Sequence, residues 1–573
     1  MLIQTFIGNQ GRELCIVYHW ICPNAPAVII CPGIANSMSD PRYLLSILAR
    51  KLASLGLNVF QFDYFGSGDS VGDFIGITQE SLIESAKQII EFAESLGVAE
   101  FGLIGYGIGN AIIGSFIEHP KVKTAALLSP HFHIYSPEGQ EIWKSFAQNL
   151  SFDMTEPVFS RRQHASAPIG DLWRAVVGET TEGSNACGPL NPFFLQGVTD
   201  MRPQEKFLIS DKPLLIISEQ KDDALFRSGL PVEYAPIESN INPGRISWHW
   251  CIQCREIIVV RLSDWFQSHL ITNHNLQRQS SLNAPGIAGV DQPGEKKQLY
   301  SLTIDVEGQS VLGILHVPSL TSKPKPVCVI YEPGLTCNRV DIHRVGPRLA
   351  AALTKRGFYM CQYDARGTGV SAGEFHEFTW SRKMQDILRI MQYIEDKTAV
   401  KHFVILSASA GAKIACLAAN RDPRVCGMIL WGPIIEEYDP EELFPEYNEK
   451  NKWIMACGHA IKSGFVRHPS GTLVFESSGL WLGVNYHIDE HKYKFFEEFE
   501  SCRKPGLIVL PSSDKAVVNS VLQIILKHDE KHLHEIPGIH GFEPEVVEDV
   551  VNYSAEWLEK FIASSSLEPY PGG

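Results

Sequence analysis

The sequence lacks an excess of basic residues and any long hydrophobic run. Its 50 Lys and Arg residues are outnumbered by 65 Asp and Glu, which gives a formal net charge of −15 and a pI near 5.7. Nucleic-acid-binding proteins concentrate Lys and Arg into a patch, and no such patch occurs here, so we expect no nucleic-acid partner. No segment approaches about 18 uninterrupted apolar residues, so we expect no membrane span.

A secretion signal and a metal-binding cysteine pattern are also lacking. The N-terminal MLIQTFIGNQGREL has no basic stretch followed by an apolar run, so we expect a soluble, cytoplasmic protein. Several of the 13 cysteines lie in apolar stretches, where a reduced thiol packs as a small hydrophobe. The CxxC formed by Cys251 and Cys254 has no second pair at zinc-ligand spacing, and we interpret it as packing. We expect no metal and no cofactor.

What the sequence does contain is an internal repeat. CPGIANSMSD and NVFQFDYFGSGDSVGDF in the first half correspond to EPGLTCNRVD and YMCQYDARGTGVSAGEF in the second. A constant offset at turn-forming residues predicts two copies of one domain. The offset is 301 at each of five pairs (334 minus 33, for example): Gly33 and Gly334, Asp63 and Asp364, Gly66 and Gly367, Gly68 and Gly369, Gly72 and Gly373.

Each copy begins with two short β runs around a turn, followed by an apolar strand, an amphipathic helix and another strand. This alternation predicts an α/β fold with a mostly parallel sheet flanked by helices. About 80 residues in the first copy and about 70 in the second separate the middle strands from the last ones, which is too long for an ordinary crossover and predicts an inserted cap in each copy.

The predicted domain boundaries follow from the repeat and from a polar, Pro- and Gly-containing segment without periodicity. That segment is long enough for the two domains to dock against each other, which we expect them to do. The predicted parts are a first domain at 1–270 with a cap at about 131–210, a linker at 271–298, a second domain at 299–563 with a cap at about 434–502, and a loose tail at 564–573.

ILSASAGAK in the second copy has the pattern of a nucleophile elbow, in which a strand, a sharp turn and a helix present a serine. The elbow requires small residues on both sides because strand and helix backbones pass close together. Ser407 and Gly411 meet this requirement around Ser409, although Ser407 departs from the usual GxSxG. With one residue of slippage in the repeat (409 minus 107 is 302), LIGYGIGNA of the first copy matches this segment and places Gly107 opposite Ser409. The first copy is thus left without a nucleophile.

An acid and a base follow Ser409 in the order that a serine triad on such a sheet requires. Asp514 ends the strand GLIVLPSSD, and His540 lies in a loop before the last helix. Glu436 and Asp439 remain alternative acids after the strand GMILWGP.

With these motifs in place, both halves resemble α/β-hydrolases, nearest to the serine aminopeptidase-like (S33) and exosortase-associated hydrolase families. The pattern DxxGxGxSxGxF at 63–74 and 364–375 supports the resemblance. It implies two tandem α/β-hydrolase domains, a triad of Ser409, Asp514 and His540, and an oxyanion hole formed by the backbone amides of Leu335 and Ala410.

The first copy keeps an acid but not the rest of the site. With the later strands offset by 292 (505 minus 213), Asp222 matches Asp514 and Trp248 matches His540, with His249 next to it. We therefore predict that the first domain is catalytically inactive. The repeated Asp and Gly residues beginning at Asp364 also resemble a metal or phosphate loop, but the inactive copy carries them too, so we interpret them as a structural turn.

These residues predict a serine hydrolase that acts on an ester, thioester or amide, with a substrate that is free or linked to a carrier or to CoA. Acyl transfer uses the same triad, and a non-catalytic scaffold or carrier-binding pseudohydrolase is the alternative from another class. Dehalogenase chemistry is disfavoured because it requires Asp in place of Ser409. Aromatic residues in the second cap favour a hydrophobic acyl pocket: Trp453, Phe465, Phe475, Trp481, Tyr486, Tyr493, Phe495, Phe496 and Phe499.

Overall fold

The computed structural model describes 1–34, 37–130, 194, 197, 201–218, 232–236, 251–271, 299–318, 322–435, 465–477, 479–513, 531–538, 542 and 544–565. Most of the predicted first cap, nearly all of the linker, somewhat less than half of the predicted second cap and most of the tail lie outside these residues. The chain divides into two units, Met1–Val290 and Asp291–Gly573.

The first unit is built on an eight-stranded sheet. Its strands are β1 Leu2–Ile7, β2 Leu14–His19, β3 Ala27–Cys31, β4 Asn58–Phe62, β5 Phe101–Tyr106, β6 Val122–Leu128, β7 Leu214–Ser218 and β8 Val232–Pro236. They lie in the order β1-β2-β4-β3-β5-β6-β7-β8. β1 and β2 form an antiparallel hairpin and β2 is antiparallel to β4, whereas the other neighbours are parallel.

Helices cover both faces of this first sheet, as buried parallel strands require. They are α1 Leu44–Ser54, α2 Gln79–Ser95, α3 Gly109–Gly114, α4 Pro203–Leu208 and α5 Ile252–Leu270. Adjacent residues of β3 belong to opposite sides of the sheet. Val28 belongs to the core that contains α1 and α5, and Ile29 to the core that contains α2 and α3. Cys254 is buried in the first of these cores, consistent with a packing role.

The second unit contains a matching sheet and a smaller one. The large sheet has β9 Leu299–Val306, β10 Gln309–His316, β11 Val327–Glu332, β12 Tyr359–Asp364, β13 His402–Ala408, β14 Val425–Trp431, β18 Gly506–Pro511 and β19 Lys531–Ile536, in the order β9-β10-β12-β11-β13-β14-β18-β19. Within the predicted cap, β15 Val466–Arg467, β16 Leu473–Ser477 and β17 Leu480–Gly483 form an antiparallel sheet.

The helices of the second unit are α6 Val345–Lys355, α7 Trp380–Lys397, α8 Ala412–Arg421, α9 Val484–Tyr493, α10 Phe495–Ser501 and α11 Pro544–Ser564. Four of them begin at positions that repeat those of the first unit, α6 and α7 at an offset of 301 (345 minus 44) and α10 and α11 at an offset of 292 (544 minus 252). The side chains of Thr78 and Thr379, 301 positions apart, cap α2 and α7 by accepting backbone N–H groups. None of the helices in the described part of the chain is long and apolar enough to cross a bilayer.

The strand orders confirm the predicted fold class. When the strands of each large sheet are numbered in chain order, both sheets have the order 1-2-4-3-5-6-7-8. In both, the second strand is antiparallel to its neighbours and the strands from the third onward are parallel. The chain therefore contains two tandem α/β-hydrolase domains. Because the parallel strands share one direction, the loops that follow β11, β13, β18 and β19 emerge at the same edge of the sheet, where such folds build their sites.

The repeated Asp and Gly residues form a turn held by backbone hydrogen bonds. The Asp364 carboxylate accepts the N–H groups of Arg339 at 2.8 Å and Val370 at 3.1 Å. A Cβ on Gly369, which has φ +49°, would lie 2.1 Å from Asp364 Cγ, so only glycine fits. In the first unit the same bonds join residues 301 positions earlier, Asp63, Met38 and Asp69. This geometry supports the interpretation as a structural turn.

Candidate active site

Ser409 lies on a left-handed turn between β13 and α8. Its φ is +53°, a conformation that residues other than glycine rarely adopt and that persists where the surrounding structure enforces it. A short 3₁₀ turn, Ser409–Gly411, leads directly into α8. A Cβ on Gly411 would lie 2.7 Å from the Glu332 carbonyl oxygen, so the strand and helix backbones leave room only for glycine. The turn has the geometry that presents a serine side chain above a sheet.

The loop that follows β11 passes directly beside this serine. A Cβ on Gly334 would lie 3.4 Å from Ser409 Cβ and 3.6 Å from Cys337 Sγ. Residues 335–337 and 408–410 are partly exposed, whereas the strands that carry them are buried. Leu335 directly follows Gly334, and Ala410 directly follows Ser409. The two backbone segments expected to supply the oxyanion hole are therefore adjacent at an accessible edge.

Asp514 and His540 both lie outside the described residues, but the backbone that leads to each of them is described. Ser513 donates its N–H to the Gly538 carbonyl at 2.9 Å, and Ser512 donates to Ile536, also at 2.9 Å. The loops after β18 and β19 are thus hydrogen-bonded to each other one residue before Asp514 and two residues before His540.

Beyond His540 the chain returns toward the strand next to the serine. Phe542 is buried, and its ring lies edge-on to Trp431, with the ring centroids 6.4 Å apart. Trp431 lies opposite Ala408, the residue before Ser409, in the register of β14 and β13. The alternative acids, Glu436 and Asp439, also lie outside the described residues.

The first unit has the same strand-to-helix turn, with glycine at the position of the serine. Gly107 has φ +57°, close to the value of Ser409, and α3 follows it. A Cβ on Gly109 would lie 1.9 Å from the Cys31 carbonyl oxygen, which repeats the close approach at Gly411. The predicted remnants of this site, Asp222, Trp248 and His249, lie outside the described residues.

Comparison with known protein families yields a match in the second unit. The family model described as serine aminopeptidase, S33, matches 342–460, a stretch that contains Ser409. This part of the chain is similar to the serine aminopeptidases. Residues 342–460 run from just before α6 through the elbow and into the predicted cap. No curated protein matches the chain.

Several solved structures are similar over slightly less than half of the chain. Est1E from Butyrivibrio proteoclasticus, with ferulic acid bound, is 21% identical over 46% of this chain and 100% of its own, with a TM-score of 0.36. The α/β hydrolase GrgF from Penicillium sp. sh18 is 18% identical over 46% of this chain and 98% of its own, with a TM-score of 0.36. The thioesterase domain from the curacin biosynthetic pathway is 14% identical over 47% of this chain and 100% of its own, with a TM-score of 0.31. At these identities and TM-scores, none of the three similarities bears on the reaction.

Beneath the elbow of the second unit lies a buried ionic cluster that the sequence analysis missed. The Lys383 ammonium pairs with the Glu332 carboxylate, to which the Tyr363 hydroxyl also donates a hydrogen bond. The two ionic side chains are only 2% and 0% exposed. Burial raises the pKa of Glu332, and the neighbouring ammonium and hydroxyl oppose that rise. Lys383 Nζ also donates to the Pro333 carbonyl at 3.4 Å, within the loop beside Ser409.

A second buried ion pair joins the helix after the elbow to the cap. Lys413, one turn after Ser409 on α8, pairs with Glu490 on α9. The Lys413 ammonium also lies 5.3 Å from the ring centroid of Trp380 and 5.0 Å from that of Phe495, at cation–π distance. This pair connects α9 to the helix that follows the elbow.

The described aromatic residues of the second cap pack against one another and against the domain. Phe495 and Phe499 are fully buried, and the rings of Phe465 and Phe475 lie 5.1 Å apart. Phe496 is 41% exposed. Trp453 lies outside the described residues. The predicted acyl pocket stays a prediction. Within the described residues no group of three or more His, Cys, Asp or Glu could hold a metal ion.

Proposed function

We propose that the second unit is a serine hydrolase that acts on an ester, thioester or amide through an acyl-Ser409 intermediate. The observation that carries this proposal is the left-handed φ of Ser409 at a strand-to-helix turn, with the loop of Gly334 directly beside it. A serine in an ordinary turn does not require a left-handed φ, whereas a serine at a nucleophile elbow does.

In the proposed mechanism His540 accepts the proton of the Ser409 hydroxyl while Oγ attacks the carbonyl carbon of the substrate. Asp514 holds the imidazole in the required tautomer and stabilises its charged form. The N–H groups of Leu335 and Ala410 donate to the oxyanion of the tetrahedral intermediate, and each such donor contributes about 3 kcal/mol. His540 then protonates the leaving group, and water attacks the acyl-enzyme by the same route.

The first unit, in this proposal, is catalytically silent, because Gly107 has no side chain that could attack a carbonyl. Acyl transfer to an alcohol or amine in place of water uses the same residues, and product analysis in the presence of such acceptors distinguishes it from hydrolysis. A carrier-bound or CoA-bound acyl group is one form of substrate that this chemistry accepts.

A fluorophosphonate probe tests the proposal directly on the full chain. We expect stoichiometric labelling, with the added mass on the peptide that contains Ser409. Turnover is then measured on p-nitrophenyl esters of graded chain length and on a panel of acyl thioesters. A folded protein that takes up no probe would contradict the hydrolase and support the scaffold, and labelling of a different serine would contradict the assignment of Ser409.

Adding a hydroxyl to the first unit is not expected to create a second active site. The variant Gly107→Ser, combined with Ser409→Ala, should show no esterase activity above Ser409→Ala alone, because Trp248 stands where the sequence requires the base. A side chain at φ +57° should also lower the free energy of unfolding by roughly 1 kcal/mol.

Gly11→Ser is the matched control for that strain, since Gly11 has φ +81° and nothing lies within 4 Å of a Cβ placed there. Thermal unfolding and p-nitrophenyl ester hydrolysis measure the two effects. Robust turnover by Gly107→Ser/Ser409→Ala would show that His249 reaches the first elbow and that the first unit is not a silent copy.

A further inference from the structure

The two units differ in what lies beneath their elbows. The positions that correspond at the repeat offset of 301 are Glu332 and Cys31, Tyr363 and Phe62, Lys383 and Leu82. All six side chains are buried. The correspondence is structural as well as sequential, because both crossover helices begin at the same repeat position and the two sheets share one strand order. The unit whose elbow carries Ser409 thus has a charged cluster beneath the elbow, whereas the unit whose elbow carries Gly107 has an apolar one.

This difference is difficult to explain by stability alone. Taking an ammonium and a carboxylate out of water costs several kcal/mol per ion, and apolar residues of similar size are often neutral or stabilising in their place. The first unit forms the same sheet around Cys31, Phe62 and Leu82, so the fold does not require the ions. The two elbows also differ in the candidate nucleophile, which is Ser409 in the second unit and is replaced by Gly107 in the first.

The contacts of the cluster connect it to both sides of the candidate oxyanion hole. Lys383 Nζ donates to the carbonyl of Pro333, two residues before Leu335. A Cβ on Gly411 would lie 3.2 Å from Glu332 Cγ, so the carboxylate side chain lies against the elbow itself. The cluster therefore contacts the loop that carries one expected amide donor and the turn that carries the other.

We propose that Glu332, Lys383 and Tyr363 are positioning residues that hold the loop at 333–335 against the elbow, so that the amides of Leu335 and Ala410 converge on one oxyanion. This role rests on the proposed acyl-serine chemistry. The oxyanion forms only in the transition state, so the residues contribute to kcat and very little to substrate binding.

The test replaces the whole cluster with the residues of the first unit: Glu332→Cys, Tyr363→Phe and Lys383→Leu in one variant. Changing all three avoids leaving one ion buried alone. We expect a folded protein whose kcat on a p-nitrophenyl ester falls about 100-fold or more, with KM changed less than about threefold. Affinity for a trifluoromethyl ketone, which forms an oxyanion on the serine, should fall in parallel with kcat.

Two single variants keep the test decisive if the triple variant does not fold. Tyr363→Phe removes one hydroxyl and should lower kcat several-fold at constant KM. Lys383→Arg retains the cation and a donor to Pro333 and should recover most of the activity that other substitutions at Lys383 lose. Wild-type kcat in the triple variant, or in Tyr363→Phe if the triple variant does not fold, would overturn the proposal.

The matched control is another buried ion pair that the first unit also lacks. Arg366 and Asp386 correspond to Phe65 and Ser85, and the hydrogen bonds of Arg366 in the described residues go to Asp386, Val306, Glu307, Arg382 and Gln385. None of them reaches the loop or the elbow. The Asp386 carboxylate acts on Glu332 and Tyr363 through its charge, so the control also removes one charge that faces the cluster. Arg366→Phe/Asp386→Ser should lower the melting temperature while kcat falls far less than in the triple variant.

An equal loss of kcat in the control would show that the effect is general loosening and would contradict the positioning role. Ser409→Ala separates this proposal from the one on which it rests. If that variant keeps its activity, the acyl-serine function fails. If it is inactive while the triple variant is fully active, only the positioning role fails.

Discussion

Ser409→Ala is expected to abolish turnover and fluorophosphonate labelling while leaving the fold intact. Removing the nucleophile of a serine triad typically lowers kcat by about 10⁶-fold. Alanine has a Cβ in the same position as serine, so the backbone strain at φ +53° is unchanged and the melting temperature should be close to that of the wild type. Labelling is read by intact mass and turnover by p-nitrophenyl ester hydrolysis.

Ser407→Ala is the control, since this serine lies two residues before the nucleophile in the same SAS sequence. Its hydroxyl is fully buried and has no hydrogen-bond partner among the described residues, so its removal should leave labelling unchanged. His540→Ala should be about as severe as Ser409→Ala, and the double variant scarcely worse than either, because triad members act as a unit. Undiminished labelling of Ser409→Ala would refute the assignment of Ser409 as the nucleophile.

Lys413→Met should be among the most destabilising single substitutions in the second unit. It leaves the Glu490 carboxylate buried without its cation, and breaking a buried pair in this way typically costs about 3–5 kcal/mol. In a unit of this size the melting temperature of the second unit should fall by about 10 °C. Lys413→Met/Glu490→Gln, which removes both charges, should recover a large part of that loss.

Lys401→Met is the matched control, because Lys401 pairs with Glu395 at 3.2 Å while its side chain is 61% exposed. Exposed pairs of this kind contribute less than about 1 kcal/mol. Thermal unfolding followed by circular dichroism measures all three variants. Equal shifts for Lys413→Met and Lys401→Met would show that the link between α8 and α9 carries no special stability.

The fold was predictable because its signals are local and repeated. The Asp and Gly residues of the signature turn recur at a constant offset, and each is required by a bond or a close approach that a short sequence motif encodes. The turn at Ser409 was predictable for the same reason, since the small residues around it reflect the approach of strand and helix backbones.

The two buried lysines could not be predicted in this way. Lys383 and Lys413 lie on helices, where a lysine usually indicates a solvent-exposed face. Their partners come from distant elements, and 77 positions separate Lys413 from Glu490. Pairing over such a separation depends on the assembled fold and leaves no mark in local spacing. The comparison of the two copies contained the signal for Lys383, because the first copy has leucine at that position.

The left-handed turn at Gly107 has a consequence for engineering. Because the main chain at Gly107 already follows the path found at Ser409 and the two large sheets share one strand order, a working centre there can be built on the existing elbow and sheet. It calls for side chains: a hydroxyl at position 107, a base near position 248, and polar residues at 31, 62 and 82. Adding these side chains to the first unit one at a time would therefore show how many catalytic and supporting groups such an elbow requires for activity.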